Sequence, residues 1–124
     1  MRRGPMSEDP QFTTVSMPDD YARQTDTAVV YAPVVRGDVT VGHVWASATE
    51  AAAGFLASPA AGTASRPAAI AWTRRLRESK AQGLTALEAL RRWTGQPDDP
   101  KAGHVPTDAE GHAPNLAALV ADKG

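Results

Sequence analysis

Seven of the chain's ten valines fall between Val29 and Val44, and that clustering constrains the fold more than any other feature. The stretch TAVVYAPVVRGDVTVGHVWAS, Thr27 to Ser47, is two Val-rich runs around Arg36-Gly37-Asp38. Branched side chains suit a pleated, half-buried strand, and Gly37 supplies the positive φ of a tight hairpin turn. With Gly37 and Asp38 as the loop, Arg36 pairs with Val39, Val35 with Thr40, and Val34 with Val41. The same register sets Ala32 against His43, Tyr31 against Val44 and Val30 against Trp45. Pro33 donates nothing to a ladder, so its N side belongs at an edge or a bulge. Both faces are apolar, more than a hairpin covered on one side needs. Another strand, or a second copy of the chain, is expected to cover the rest.

The remainder of the chain offers this hairpin little to pack with. Leu, Ile, Val and Phe total only 20 of 124 residues, below the roughly one-fifth that marks folded domains. Disorder also calls for a high net charge, and the net charge is −1. The expectation is one small folded core with loose ends. There are no cysteines, which excludes a disulfide frame, a thiolate zinc site and a cysteine nucleophile. No apolar run approaches the roughly 18 residues of a membrane span. The opening MRRGPMSEDP has no apolar core behind its arginines, so no secretory signal is read there. The expected location is cytoplasmic, and the Ala, Gly, Pro and Arg bias suggests a GC-rich bacterial genome.

Helices are marked by their caps. Ser47-Ala-Thr-Glu50 fits a capping box, predicting a short helix to Ala57 with Ala52, Phe55 and Leu56 inward. SPAAGTAS then breaks the chain. Pro67 suits the first turn of a helix running to Gln82 and stopped by Gly83. Thr85-Ala-Leu-Glu88 is a second capping box, and that helix ends at Gly95 with Pro97 behind it. A Pro- and Gly-rich loop follows, and Asn115 caps a last helix through Leu116, Leu119 and Val120. The expected fold is α+β: a Val-rich hairpin, with room for a third strand, packed by three short helices. Residues 1–26 read as a flexible leader (with Phe12 to Val15 a candidate strand), 27–95 as the domain, and 96–124 as a polar loop with a short helix or tail.

Charge is unevenly spread. Residues 66–92 hold seven basic groups and two acidic ones, whereas the flanking segments are both acidic. A basic helix pair is the footprint expected of a nucleic-acid binder, so Arg74, Arg75, Arg77, Lys80, Arg91 and Arg92 are the candidate binding surface. RRLRESKAQGLTALEAL resembles the first two helices of bacterial helix-turn-helix regulators. That family implies a recognition helix directly afterwards, where this chain instead reads GQPDDPKAG. A solvated face explains the same arginines. On a helical wheel Trp72, Leu76 and Ala69 face inward with Ile70 at the margin, and Leu87, Leu90, Trp93 and Ala86 face inward on the next helix. Arg74 with Glu78, and Glu88 with Arg92, are then i,i+4 pairs.

No catalytic constellation emerges. His104 and His112 flank Asp108 and Glu110 in the loop without metal-ligand spacing, and Asp19-Asp20 and Asp98-Asp99 read as solvated turns. No nucleophile elbow or phosphate cradle is present. A site around His43 and Trp45 would need a concave pocket and a perturbed imidazole. Trp45, Trp72 and Trp93 are expected as three walls of one core. The function expected is a small non-enzymatic interaction or regulatory module without metal or cofactor. It would self-associate as a homodimer through the hairpin, at Tyr31, Val35 and Val44, or dock a protein partner there. The alternative is an accessory nucleic-acid-binding protein using residues 66–92.

Overall fold

A computed structural model describes residues 20–124; the candidate strand Phe12 to Val15 lies outside them. The fold is α+β. Four antiparallel strands form one sheet: β1 (Val29–Arg36), β2 (Val39–Ser47), β3 (Ala53–Ala57) and β4 (Gly111–Ala113), in spatial order β3-β2-β1-β4. Three helices pack on it: α1 (Ser65–Ala81), α2 (Ala86–Arg92) and α3 (Leu116–Lys123), with a 3₁₀ turn at Pro59–Ala64 before α1.

The hairpin closes as expected at its tip, with Arg36 opposite Val39 and Val35 opposite Thr40. Beyond that the register shifts by one, because a bulge opens opposite Val34: Gly42 pairs with Val34, Val44 with Ala32, and Trp45 with Tyr31. The shift reverses the faces assigned to the far end of β2, as a one-residue slip must. Val41 and Val44 both enter the same core cluster, although three residues apart, which a regular strand with period two cannot do. Gly42 permits the arrangement. A Cβ there would lie 2.3 Å from the Phe55 ring and 2.5 Å from the Leu56 carbonyl.

Ser47 caps a turn, not a helix. Its hydroxyl accepts from the backbone N–H of Thr49 and Glu50 at 3.1 and 2.9 Å, while Ser47 N–H donates to Ala52 O at 2.8 Å. The Glu50 carboxylate, which a capping box would turn back on Ser47, accepts from the Thr25 hydroxyl at 2.6 Å instead. The chain then returns as β3, so Phe55 packs toward one core cluster and Leu56 toward the other. The expected helix to Ala57 is thereby replaced by a strand, which pairs with β2 over its length.

The other helix signals are realised. Helix α1 runs from Ser65 to Ala81 with Gly83 beyond it at φ +84°. Thr85 and Glu88 form a reciprocal capping box on α2, which ends at Arg92 rather than Gly95. Asn115 Oδ1 accepts from Ala118 N–H at the start of α3. After α2 the next helix is α3, so no third helix follows directly as a helix-turn-helix would require.

The sheet carries a core on each face. On one, Ala32, Val34, Val44 and Ala46 pack against Trp72, Leu76 and Leu90 of α1 and α2. On the other, Val29 and Trp45 pack against Leu116 and Leu119 of α3. The three tryptophans therefore wall two cores, not one. Tyr21 joins the first and donates its hydroxyl to Leu84 O at 2.7 Å. The segment after α2 contributes too, through buried Ala102 and Val105.

Trp72 ties that segment down. Fully buried, it donates Nε1–H to the Ala102 carbonyl at 3.0 Å. Nearby, Val35 and His104 exchange two backbone hydrogen bonds at 2.8 and 2.9 Å. Trp72→Phe should leave that carbonyl unpaired in a dry environment and cost about 1–3 kcal/mol. Urea unfolding monitored by circular dichroism checks this; an unchanged midpoint would remove the bond from the account.

Candidate binding surface on the first helix

Most of the arginines expected at the surface are engaged within the chain. Arg77 grips Asp20 with Nε and Nη2, each at 2.9 Å from a carboxylate oxygen. Arg91 grips Glu110 in the same fashion, both contacts at 3.0 Å. These two-pronged bonds fix orientation as well as charge. They hold both carboxyls below their ordinary range, the Arg77 bond on Asp20 and the Arg91 bond on Glu110 being the main causes. Arg75 lies over Trp93 and Trp72, 4.3 and 5.1 Å from the ring centroids, with Asp99 at 3.7 Å. Arg92 sits 5.3 Å over Trp93 and contacts the Gln82 side chain. Lys80, half-buried, borders a cleft between the β2–β3 turn and the α1–α2 junction.

Arg74 differs. It is exposed and makes no ion pair among the described residues. The expected pairs Arg74–Glu78 and Glu88–Arg92 are not formed; the Glu88 carboxylate accepts from Thr85 N–H instead, at 2.8 Å.

The hairpin residues are not brought to one surface. Tyr31 and Val35 share one face of β1 and are half-buried, whereas Val44 is fully buried on the other face of the sheet. The hairpin's edges are both paired within the chain, β2 by β3 and β1 by β4 and His104.

The cleft is the larger concavity, about 830 Å³. Its polar groups already hold the fold together: Glu50 takes the Thr25 hydroxyl, Glu88 completes a helix cap, Arg91 holds Glu110 and Tyr21 bonds Leu84 O. A groove of about 370 Å³ on the outside of α1 is built differently. Pro67, Ile70 and Ala71 give it an apolar floor, and Arg66, Arg74 and Lys101 line its rim. Among the described residues none of these three cations has an ion-pair partner.

Helical periodicity makes this groove. Residues 65, 68, 72, 76 and 79 are the buried stripe of α1. Ile70 lies two residues from both Ala68 and Trp72, or about 200° around the helix, so it is directed away from the core and is 60% exposed. The margin position expected for Ile70 follows from counting Ala69 into the buried stripe, where the structure has Ala68. Arg66, Ile70 and Arg74 then align at i, i+4 and i+8. Arg66, Ile70 and Lys101 were absent from the expected site. The first two were legible from that spacing, but Lys101 arrives through the loop that Trp72 anchors.

His43 and Trp45 flank neither concavity. The His43 ring packs edge-on to Tyr31, with centroids 6.0 Å apart, and its Nδ1 is buried without a partner among the described residues. Burial pushes its pKa down, and the Lys123 ammonium adds to the effect. The unfolded chain then binds the proton more readily than the folded one. Stability should be complete above the ordinary value of about 6.5 and fall as pH drops below it. Urea unfolding at about pH 7.5 and 5.5 should show that loss, and His43→Gln should reduce it. An equal loss in the variant would contradict the assignment.

His104 Nδ1 lies 3.2 Å from Asp98, and His112 stands exposed on β4, apart from it. Among the described residues no helix is long and apolar enough to cross a membrane. The chain matches no protein-family model, and no curated protein or solved structure matches it either.

Proposed function

We propose that this chain is a non-enzymatic interaction module that docks an anionic protein partner on the outer face of α1. The observation that carries the reading is Ile70, exposed between Arg66, Arg74 and Lys101, cations that no acid of the described chain neutralises. A single exposed aliphatic residue is ordinary. One set in a concave apolar floor with an unopposed basic rim has the chemistry of a recognition site. Self-association through the hairpin has less to recommend it, since β3 and β4 pair with its two strands inside the chain, which favours α1 as the partner surface. A regulatory role in the cytoplasm of a GC-rich bacterium fits the cysteine-free, Ala- and Arg-rich composition.

Nucleic acid is the alternative, favoured by the local excess of positive charge. It asks Arg77 and Arg91 to leave Asp20 and Glu110 for phosphates, an exchange that surface ion pairs permit at modest cost.

Amide NMR separates the two. The labelled chain is titrated with poly-L-glutamate and, separately, with a short mixed-sequence DNA duplex, at about 50 and 200 mM salt. The module reading predicts that polyglutamate shifts the amides of Arg66, Ile70, Arg74 and Lys101, with DNA leaving Arg91 and Arg92 unmoved. DNA-induced shifts from Arg74 through Arg92 that fade at the higher salt would transfer the function to nucleic acid. Silence toward both polyanions would remove the anionic partner.

A further inference from the structure

The groove on α1 does not end at Lys101. A second depression, about 350 Å³, is lined by Arg36, Val39, Val41, Ala64, Asp98 and Pro100. The same two stretches of chain border both. Thr63 and Lys101 line the first, and their chain neighbours Ala64 and Pro100 line the second. Arg36 lines the second depression and donates Nη1–H to Ala64 O at 3.1 Å, its other N–H groups making no hydrogen bond among the described residues. Each depression carries one conspicuously exposed apolar residue, Ile70 at 60% and Val39 at 49%. Four cations accompany them, Arg66, Arg74 and Lys101 in the first and Arg36 in the second. Asp98 is the one acid lining either, and it faces the His104 ring at 3.2 Å.

Resting on the module reading, we infer that the two depressions form one composite site for an acidic peptide segment with two apolar side chains. One apolar side chain is seated against Ile70 and the other against Val39, with carboxylates between and beside them meeting Arg36, Arg66, Arg74 and Lys101. Apolar contact gives such a complex its affinity, and the basic rim gives orientation and rejects basic competitors. The occupant is a segment of another protein rather than a second copy. Asp98 is the sole acid among the residues lining the two depressions, against four cations, so two such linings brought together would oppose like charges.

The test is selection of a phage-displayed library of random linear peptides on the immobilised full chain, followed by fluorescence anisotropy of the selected sequences as free peptides. The expected winners carry several Asp or Glu residues and a pair of aliphatic or aromatic side chains. Ile70 and Val39 are exposed, so serine at either position leaves the core untouched. Ile70→Ser and Val39→Ser should each weaken binding about tenfold with an unchanged melting temperature. Arg74→Glu should weaken it too, and a peptide carrying Lys in place of one Glu should recover binding to that variant.

Acidic winners indifferent to both serine variants would overturn the composite site while leaving the anionic-partner reading standing. Sensitivity at Ile70 alone would confine the ligand to the first depression and overturn the two-anchor inference. Basic or purely apolar winners, or none, would overturn both. Concentration-dependent dimerisation lost in Ile70→Ser, seen by light scattering, would overturn the choice of a foreign segment.

Discussion

The buried hydrogen bond from Trp72 to the Ala102 carbonyl fastens the long loop after α2 to α1. A chain with so few large aliphatic residues cannot hold a long polar loop by apolar burial alone. Here an indole fills the space between α1 and the sheet, and its one donor reaches the loop. Around that point Asp99 accepts the N–H groups of Lys101 and Ala102, both at 2.8 Å, and those bonds lower its carboxyl pKa. Gly103, at φ +72°, passes so close to Val35 that a Cβ would lie 2.5 Å from the Val35 carbonyl. The loop is thereby closed against both α1 and β1. Its outer turn sets Lys101 beside Arg66 and Arg74, so the same anchor that completes the core also completes the rim of the groove.

Charge on the helix pair divides into two populations. Arg75, Arg77 and Arg91 reach acids outside their own helices, Asp99, Asp20 and Glu110 respectively. Each such contact is a weak force on an exposed surface, yet together they tie the segments before β1 and after α2 to the helices. Arg66 and Arg74, flanking Ile70 on α1, do nothing of the kind among the described residues. The amphipathic helix thus has a third character besides core and solvent: an outer ridge where an aliphatic side chain lies between two guanidinium groups that no acid among the described residues engages. Interior packing does not require that ridge, which makes it the feature that asks for a functional explanation.

Signals confined to a few neighbouring residues were legible in the sequence. The Gly37-Asp38 turn, the Thr85–Glu88 box, the Gly83 stop and the Asn115 cap depend on local backbone chemistry, and the chain realises each of them. Ser47 shows the limit of that logic. A hydroxyl that satisfies N–H groups two and three residues on serves a hairpin turn as well as a helix start, and pairing with β2 decides between them. The bulge at Val41-Gly42 left a trace, two valines three apart beside a glycine, but only the partner strand gives the trace meaning. The route of residues 98–105 had no local signature, because it depends on Trp72 some thirty positions earlier. For the site, Arg74 was found by charge alone, while Ile70 and Arg66 needed the correct phase of α1.

The division between engaged and free arginines is the claim on which the binding surface stands, and solvent exchange of the arginine Nε protons reads it directly. In ¹⁵N-labelled full-length protein, Arg77 and Arg91 donate that proton to a carboxylate, so their Nε–H signals should be protected and displaced. Arg66 and Arg74 should exchange at the rate of a free side chain. Protection at Arg74 equal to that at Arg77, or free exchange at Arg91, would contradict the account.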